Sequence, residues 1–279
     1  VQAGVNALGT RSGSDVPESG WEALHRIATG DLISWDTSSL AAFDANTGTA
    51  VFQNSFSGQW PHVLAPTIRD GRVYTNGGYY GGGVYAFHDT GGDLQWAMFS
   101  GDDDMSTPAV DESRAYYYDG TALVTYDTAT GARLSSTIDP YNPGWGYSHH
   151  GAPMLGLDDS VTTFSGGAFS GRASSSVEQA GTRPLINFSV ANNEVRWRTA
   201  RTYRTQPATA KGIVYAGSNT PKSFDAIDEA TGQVLWSWVP PPSDQSFHRN
   251  VVVTDNLVFV STDRAIYALD LTTRQPVWS

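Results

Sequence analysis

The 279-residue sequence predicts an all-β fold, a β-propeller of four-stranded antiparallel blades. Three observations carry that expectation. A short motif recurs about every 40 residues, the period of a propeller blade. Short alternating runs such as "VYAF" and "IYAL" precede each copy and read as strands. No stretch sustains apolar residues at i, i+3, i+4 and i+7, so helical patterning is missing.

The motif is an aspartate, a glycine four residues on and an aromatic eight residues on. It reads "FDANTGTAVF" (43–52), "FHDTGGDLQW" (87–96), "YDTATGARLS" (126–135), "FSVANNEVRW" (188–197), "IDEATGQVLW" (227–236) and "LDLTTRQPVW" (269–278). Its first positions are Asp44, His88, Asp127, Ser189, Asp228 and Asp270. Each copy predicts one strand ending at the aspartate and a tight turn. Gly48, Gly92, Gly131 or Gly232 supplies the positive φ there. The next strand then carries Trp96, Trp197, Trp236 or Trp278, whose large ring can be buried between neighbouring units. Asn193 stands in for glycine in the fourth copy, and asparagine is the next-best residue for a left-handed turn. Arg274 replaces glycine in the sixth copy, and Ser135 replaces the tryptophan in the third. Two more strands lie upstream of each motif, as in "APTIRDGRVYTNG" (65–77) and "QPATAKGIVYAGS" (206–218), giving four per unit.

The insertion "SGGAFSGRASSSVEQAGTR" (165–183) lengthens the fourth unit and reads as an exposed loop. Residues 24–279 are expected to form one propeller domain, preceded by a segment, 1–23, that can add a closing strand. Six repeats give six blades directly. A seventh follows if residues beyond Ser279 pair with "VQAGVNALG" (1–9), which would cover exposed sheet edges.

The "YAxDxxTGxxxW" pattern, best in "AIDEATGQVLW" (226–236), resembles the PQQ-like repeat of quinoprotein-type β-propellers, over residues 24–279. That resemblance implies four-stranded blades but no quinone, because many relatives are non-enzymatic scaffolds or sensors. The quinone-dependent alcohol dehydrogenases of similar repeat use eight blades and a vicinal cysteine pair. This chain has no cysteine and six repeats, so bound quinone is disfavoured.

A net charge of −11 disfavours nucleic acid as a partner. No apolar run reaches the length of a membrane span. Val1 is not an initiator methionine, so an exported protein that has lost its leader is expected, secreted or periplasmic and monomeric.

Candidate site residues emerge from the repeat register. Pro66, Pro108, Pro153, Pro207 and Val251 align as the start of each innermost strand. Just ahead stand "GQWPHVLAP" (58–66), "GDDDMSTP" (101–108), "WGYSHHGAP" (145–153), "RTYRTQP" (201–207) and "QSFHRNV" (245–251). By fold analogy these loops ring one mouth of the central channel. They carry Trp60, His62, Asp104, Trp145, Tyr147, His149, His150, Tyr203, Arg204, His248 and Arg249. Aromatic faces beside His, Arg and Asp suit a small ligand, a glycan or a partner's loop. The plainer alternative is a set of polar loops that solvate a wet channel.

Converging imidazoles of His62, His149, His150 and His248 leave a divalent metal open, although no local spacing marks a dedicated site. As an enzyme the chain would be carbohydrate-active, a polysaccharide lyase. His149 or His248 would be the base, Tyr203 the acid, and Arg204 would neutralise a uronate. "DDD" (102–104) reads as an acidic turn and "GGYYGGG" (77–83) as a hairpin. "WVPPPSD" (238–244) reads as a stiff connector, and "NFS" (187–189) is a glycosylation sequon.

Overall fold

A computed structural model describes residues 37–44, 46–57, 66–76, 83–99, 107–141, 153–166 and 183–279. The segment 1–23, the acidic turn 102–104, residues 77–82 of the glycine-rich hairpin and residues 167–182 of the insertion lie outside the described residues.

Every described element is a strand or a turn. Two compact units divide the chain after Ser136. The first unit opens with a two-stranded sheet, β1 (Thr37–Phe43) against β2 (Ala50–Ser57). A four-stranded sheet follows: β3 (Thr67–Arg69), β4 (Arg72–Asn76), β5 (Gly83–His88) and β6 (Leu94–Phe99). The third sheet is β7 (Ala109–Val110), β8 (Arg114–Tyr118), β9 (Ala122–Asp127) and β10 (Arg133–Ile138), and the division falls within β10.

In the second unit, the fourth sheet is β11 (Met154–Leu155), β12 (Ser160–Phe164), β13 (Arg183–Ser189) and β14 (Glu194–Tyr203). The fifth is β15 (Ala208–Ala210), β16 (Ile213–Asn219), β17 (Lys222–Asp228) and β18 (Val234–Trp238). The sixth is β19 (Phe247–Val253), β20 (Leu257–Thr262), β21 (Ile266–Asp270) and β22 (Pro276–Trp278). In each four-stranded sheet spatial order follows chain order, the meander of a propeller blade.

All six motif turns fall where the sequence places them, between the last two strands of a sheet. Their φ angles are 71° at Gly48, 72° at Gly92, 71° at Gly131, 54° at Asn193, 72° at Gly232 and 60° at Arg274. One circuit of hydrogen bonds explains the aspartate. In the third copy Asp127 Oδ1 accepts from the amides of Ala129 (3.1 Å) and Thr130 (2.8 Å) and from Thr130 Oγ1 (2.7 Å). The Gly131 amide donates to Asp127 O at 2.8 Å, closing the turn. Asp44, Asp228 and Asp270 repeat this arrangement. At His88 the Nδ1 atom takes the carboxylate's place, 2.9 Å from Thr90 Oγ1.

After three of the turns the aromatic acts on the next sheet. Trp96 Nε1 donates to Thr128 O at 2.9 Å. Its ring covers Gly131 so closely that a Cβ there would stand 2.6 Å from Cδ2. Trp197 repeats the contact one unit later, donating to Glu229 O at 2.8 Å and covering Gly232, where a Cβ would stand 2.7 Å away. Phe52 covers Gly92 in the same way. Glycine is therefore needed twice over at these turns, for its φ and for the ring above it.

Two expected rings depart from that pattern. Trp236 is only half-buried and packs within its own sheet, 6.2 Å from Tyr215 and 6.3 Å from Phe224. The next turn carries Arg274, whose Cβ occupies the place a glycine would leave. Trp238, two residues on, packs against the sixth sheet, 4.9 Å from the Tyr267 ring. Trp278 is 51% exposed above Phe259.

The sequon asparagine is structural. Asn187 is fully buried in β13, and its Nδ2 donates to Ser160 Oγ (2.6 Å) and Thr162 Oγ1 (2.8 Å), out of reach of a glycosylating enzyme.

Candidate functional site

Four of the five aligned anchors stand directly before an innermost strand: Pro66 before β3, Pro108 before β7, Pro153 before β11 and Pro207 before β15. Proline fixes φ and donates no hydrogen bond, so it suits the first position of a strand. Within each unit the innermost strands of successive four-stranded sheets run side by side. Gln206 and Asn250, one residue ahead of equivalent anchors, form a parallel bridge. The Val251 amide donates to Gln206 O at 2.9 Å. In the first unit Thr67 Oγ1 donates to Pro108 O at 2.6 Å. The segments leading into the fifth and sixth sheets therefore meet in register.

Trp60, His62, Asp104, Trp145, Tyr147, His149 and His150 lie outside the described residues. The backbone of Arg249 belongs to β19, while its side chain is outside them. Arg204 is half-buried, and its amide donates to Gly217 O at 2.8 Å. His248 sits within β19 rather than in a loop, opposite Ser261 on β20. The innermost strand of this sheet starts early because a register shift lies between His248 and Val252. His248 Nε2 is 2.6 Å from Ser246 Oγ, and Ser261 Oγ donates to its carbonyl at 2.6 Å.

Tyr203 is fully buried at the end of β14. Its hydroxyl donates to Asp225 Oδ2 at 2.9 Å, the oxygen that also receives Arg201 Nη1 at 2.7 Å. Ser237 Oγ donates to the other oxygen at 2.7 Å. Burial, then the Asp225 carboxylate, push the Tyr203 hydroxyl far above its ordinary range. Tyr203 and Asp225 thus form a strut between the fourth and fifth sheets.

The sequence reading passed over three buried carboxylates that join sheets or connectors. Asp225 is one. Glu229 accepts from the Leu157 amide at 2.9 Å, and its head group occupies the space a side chain at Gly156 would need. Asp244, in the proline-rich connector, accepts from Thr262 Oγ1 (2.7 Å) and Tyr267 Oη (2.8 Å), and Lys222 Nζ donates to its carbonyl. Burial works against the charged form of Asp244. The bonds from Thr262, Tyr267 and Ser243, with the Lys222 charge, outweigh it and hold the carboxyl below its usual range. One signal was visible beforehand: Asp225 interrupts the apolar strand "SFDAI" from the inside.

Among the described residues no three His, Cys, Asp or Glu side chains converge as metal ligands. No described helix is long and apolar enough to cross a membrane.

Comparison with known proteins follows the same lines as the sheets and turns. The family model described as outer membrane protein assembly factor BamB matches residues 2–238 and 106–279. The chain belongs to that family. With it come the β-propeller architecture and the PQQ-like repeat that the turns display. The crystal structure of BamB from Moraxella catarrhalis superposes with a TM-score of 0.62 at 18% identity, covering 86% of this chain and 69% of that one. A europium-containing methanol dehydrogenase superposes with a TM-score of 0.56 at 13% identity, covering 76% of this chain and 50% of that one. At these identities both likenesses are likenesses of fold. A search of curated proteins found no match.

Proposed function

We propose that this BamB-family chain is an exported, non-catalytic docking propeller that holds a segment of a partner protein at the channel mouth, in the assembly of outer-membrane proteins. The meeting of the fifth and sixth entrance segments, through Gln206 and Asn250, is the observation that carries the reading. It supports a shared surface built from two neighbouring blades, on which Arg204 and His248 stand close in register. The family description supplies the class of partner. The proposal needs no cofactor.

The elimination chemistry considered from sequence finds less support. It requires Tyr203 to deliver a proton to a sugar, whereas that hydroxyl is buried and already given to Asp225. Glycan binding at the mouth remains a distinct outcome of the test.

The test is titration of the protein with a urea-unfolded outer-membrane β-barrel protein, read by fluorescence anisotropy after dilution. Saturable binding is expected, weakened about tenfold in the Arg204→Ala, His248→Ala double variant. Absence of binding, or identical curves for the two proteins, overturns the reading. Binding to polysaccharide panels alone would replace it with the glycan reading.

A further inference from the structure

We propose that the outer edge of β14 docks an extended acidic peptide segment, gripped by Arg196, Arg198 and Tyr141. The proposal rests on the docking reading for its purpose, but it concerns a different surface, the rim of the fourth blade.

The chemistry begins with charge. The chain carries −11 overall, yet "RWRTARTYR" places Arg196, Arg198, Arg201 and Arg204 within nine residues of one another. Arg201 is neutralised by Asp225 at 2.7 Å. Among the described residues Arg196 and Arg198 have no carboxylate partner, and neutral acceptors hold both. Arg196 Nη2 donates to Asp158 O at 2.7 Å, and Arg198 Nε donates to Ser165 Oγ at 3.0 Å. Arg198 also lies over the Tyr141 ring, 4.9 Å from its centroid, and that tyrosine is 55% exposed. These contacts fix both guanidinium groups. Both Nη groups of Arg198, and Nε and Nη1 of Arg196, keep no partner among the described residues. A carboxylate matches that planar fork.

The backbone supplies the second half of the recognition. β14 is the last strand of its sheet, ordered β11-β12-β13-β14, so its outward amides and carbonyls face no strand of that sheet. An open edge pairs with any extended chain unless something prevents it. Charges usually prevent it. Here they also select: a basic or neutral strand meets two unneutralised arginines, while a strand with acids at alternate positions neutralises them. Arg196 and Arg198 stand two residues apart on β14, held by their contacts with Asp158 and Ser165. Register shifts fall at Arg196, the extra residue between Val195 and Trp197, and again beyond Arg198, so the edge is short and an added strand must follow the bulge at Arg196.

The experiment uses the whole chain and a fluorescein-labelled peptide about ten residues long that alternates Glu with Val or Thr. Its counterpart with Lys for Glu is the comparison. The acidic peptide should bind at least about tenfold tighter than the basic one, against the overall charge, and weaken at about 0.5 M salt. Arg196→Glu with Arg198→Glu should weaken binding about tenfold or more. The charge-matched control, Arg69→Glu with Arg264→Glu, should change it less than about threefold. Arg196→Gln with Arg198→Gln, a milder pair, guards against misfolding and should give an intermediate loss. Hydrogen exchange of β14 amides should slow on binding.

No saturable binding, equal loss in the control, or binding without protection of β14 overturns the proposal. Tighter binding of polygalacturonate than of the peptide also overturns it, by assigning the surface to a glycan. The Arg204→Ala, His248→Ala variant leaves these arginines in place. Failure of the mouth reading and failure of this one therefore appear in different proteins.

Discussion

Gly48, Gly71 and Gly232 share one backbone conformation, with φ of 71°, 76° and 72°, but differ in what lies above them. That contrast makes the coupling between sheets measurable. Among the described residues nothing stands within 4 Å of a Cβ added at Gly48 or Gly71, whereas one at Gly232 would stand 2.7 Å from Trp197 Cδ2. Alanine at Gly48 or Gly71 therefore bears only the left-handed backbone cost, about 1 kcal/mol. At Gly232 the Trp197 ring must also move, straining its 2.8 Å bond to Glu229 O. Overpacking of that kind adds about 1–3 kcal/mol.

The total for Gly232→Ala is about 2–4 kcal/mol, and the difference from the controls is the ring contact itself. In melting temperature the controls should lose about 2–4 °C and Gly232→Ala about twice that or more. Differential scanning calorimetry measures the shifts, with near-ultraviolet circular dichroism reporting the tryptophan. Adding Trp197→Ala to Gly232→Ala should cost about 1–3 kcal/mol less than the sum of the single changes, because the first removes the obstacle to the second. Equal losses in all three glycine variants would refute the argument, since the ring would then be adapting freely. Additivity of the pair would refute it independently.

Two further outcomes follow from the turns. Arg274 holds φ of 60° with a side chain, so Arg274→Gly should raise stability by about 0.5–1 kcal/mol once the extra freedom of the unfolded chain is subtracted; a lower melting point would show that the turn is unstrained. Asp44, Asp127, Asp228 and Asp270 have carboxyls held below their ordinary range, chiefly by amides and hydroxyls of Thr47, Thr130, Thr231 and Thr273. A lowered folded-state pKa gives stability that is complete above the unfolded value, about 3.9, and is lost as pH falls through the folded one. The melting temperature should thus be insensitive to these groups between pH 7 and 5 and fall below about pH 4. A decline already complete near neutral pH would point to other groups.

The repeat was legible because its causes are local. An aspartate that accepts from residues two and three ahead, and a glycine that tolerates positive φ, act within five residues of chain. Asn193 could be read in the same way. Arg274 was noted as a departure from the motif, and it still adopts the turn because Asp270 and the flanking strands over-determine it. The anchors were legible too, since Pro66, Pro108, Pro153 and Pro207 each stand where a strand must begin without donating.

The site was less legible, and the reason lies in distance along the chain. Tyr203 looked like a rim aromatic from its place in "RTYRTQP", yet its hydroxyl is claimed by Asp225, 22 residues away in the next sheet. Whether a tyrosine lines a mouth or a seam depends on which way β14 turns after its register shift, and period-two patterning does not record that shift. His248 was assigned to a loop because strand length, unlike strand register, is set by pairing with β20. Glu229 and Asp244 gave no local sign, because an acid in a turn or a proline-rich connector is ordinarily solvated. Burial came only when a neighbouring sheet offered amides and hydroxyls to satisfy it. The sequence alone thus determined the blades, their turns and the order of their strands through short-range bonding. Which polar groups became struts between sheets, and which stayed exposed, depended on contacts that exist only once the sheets have packed.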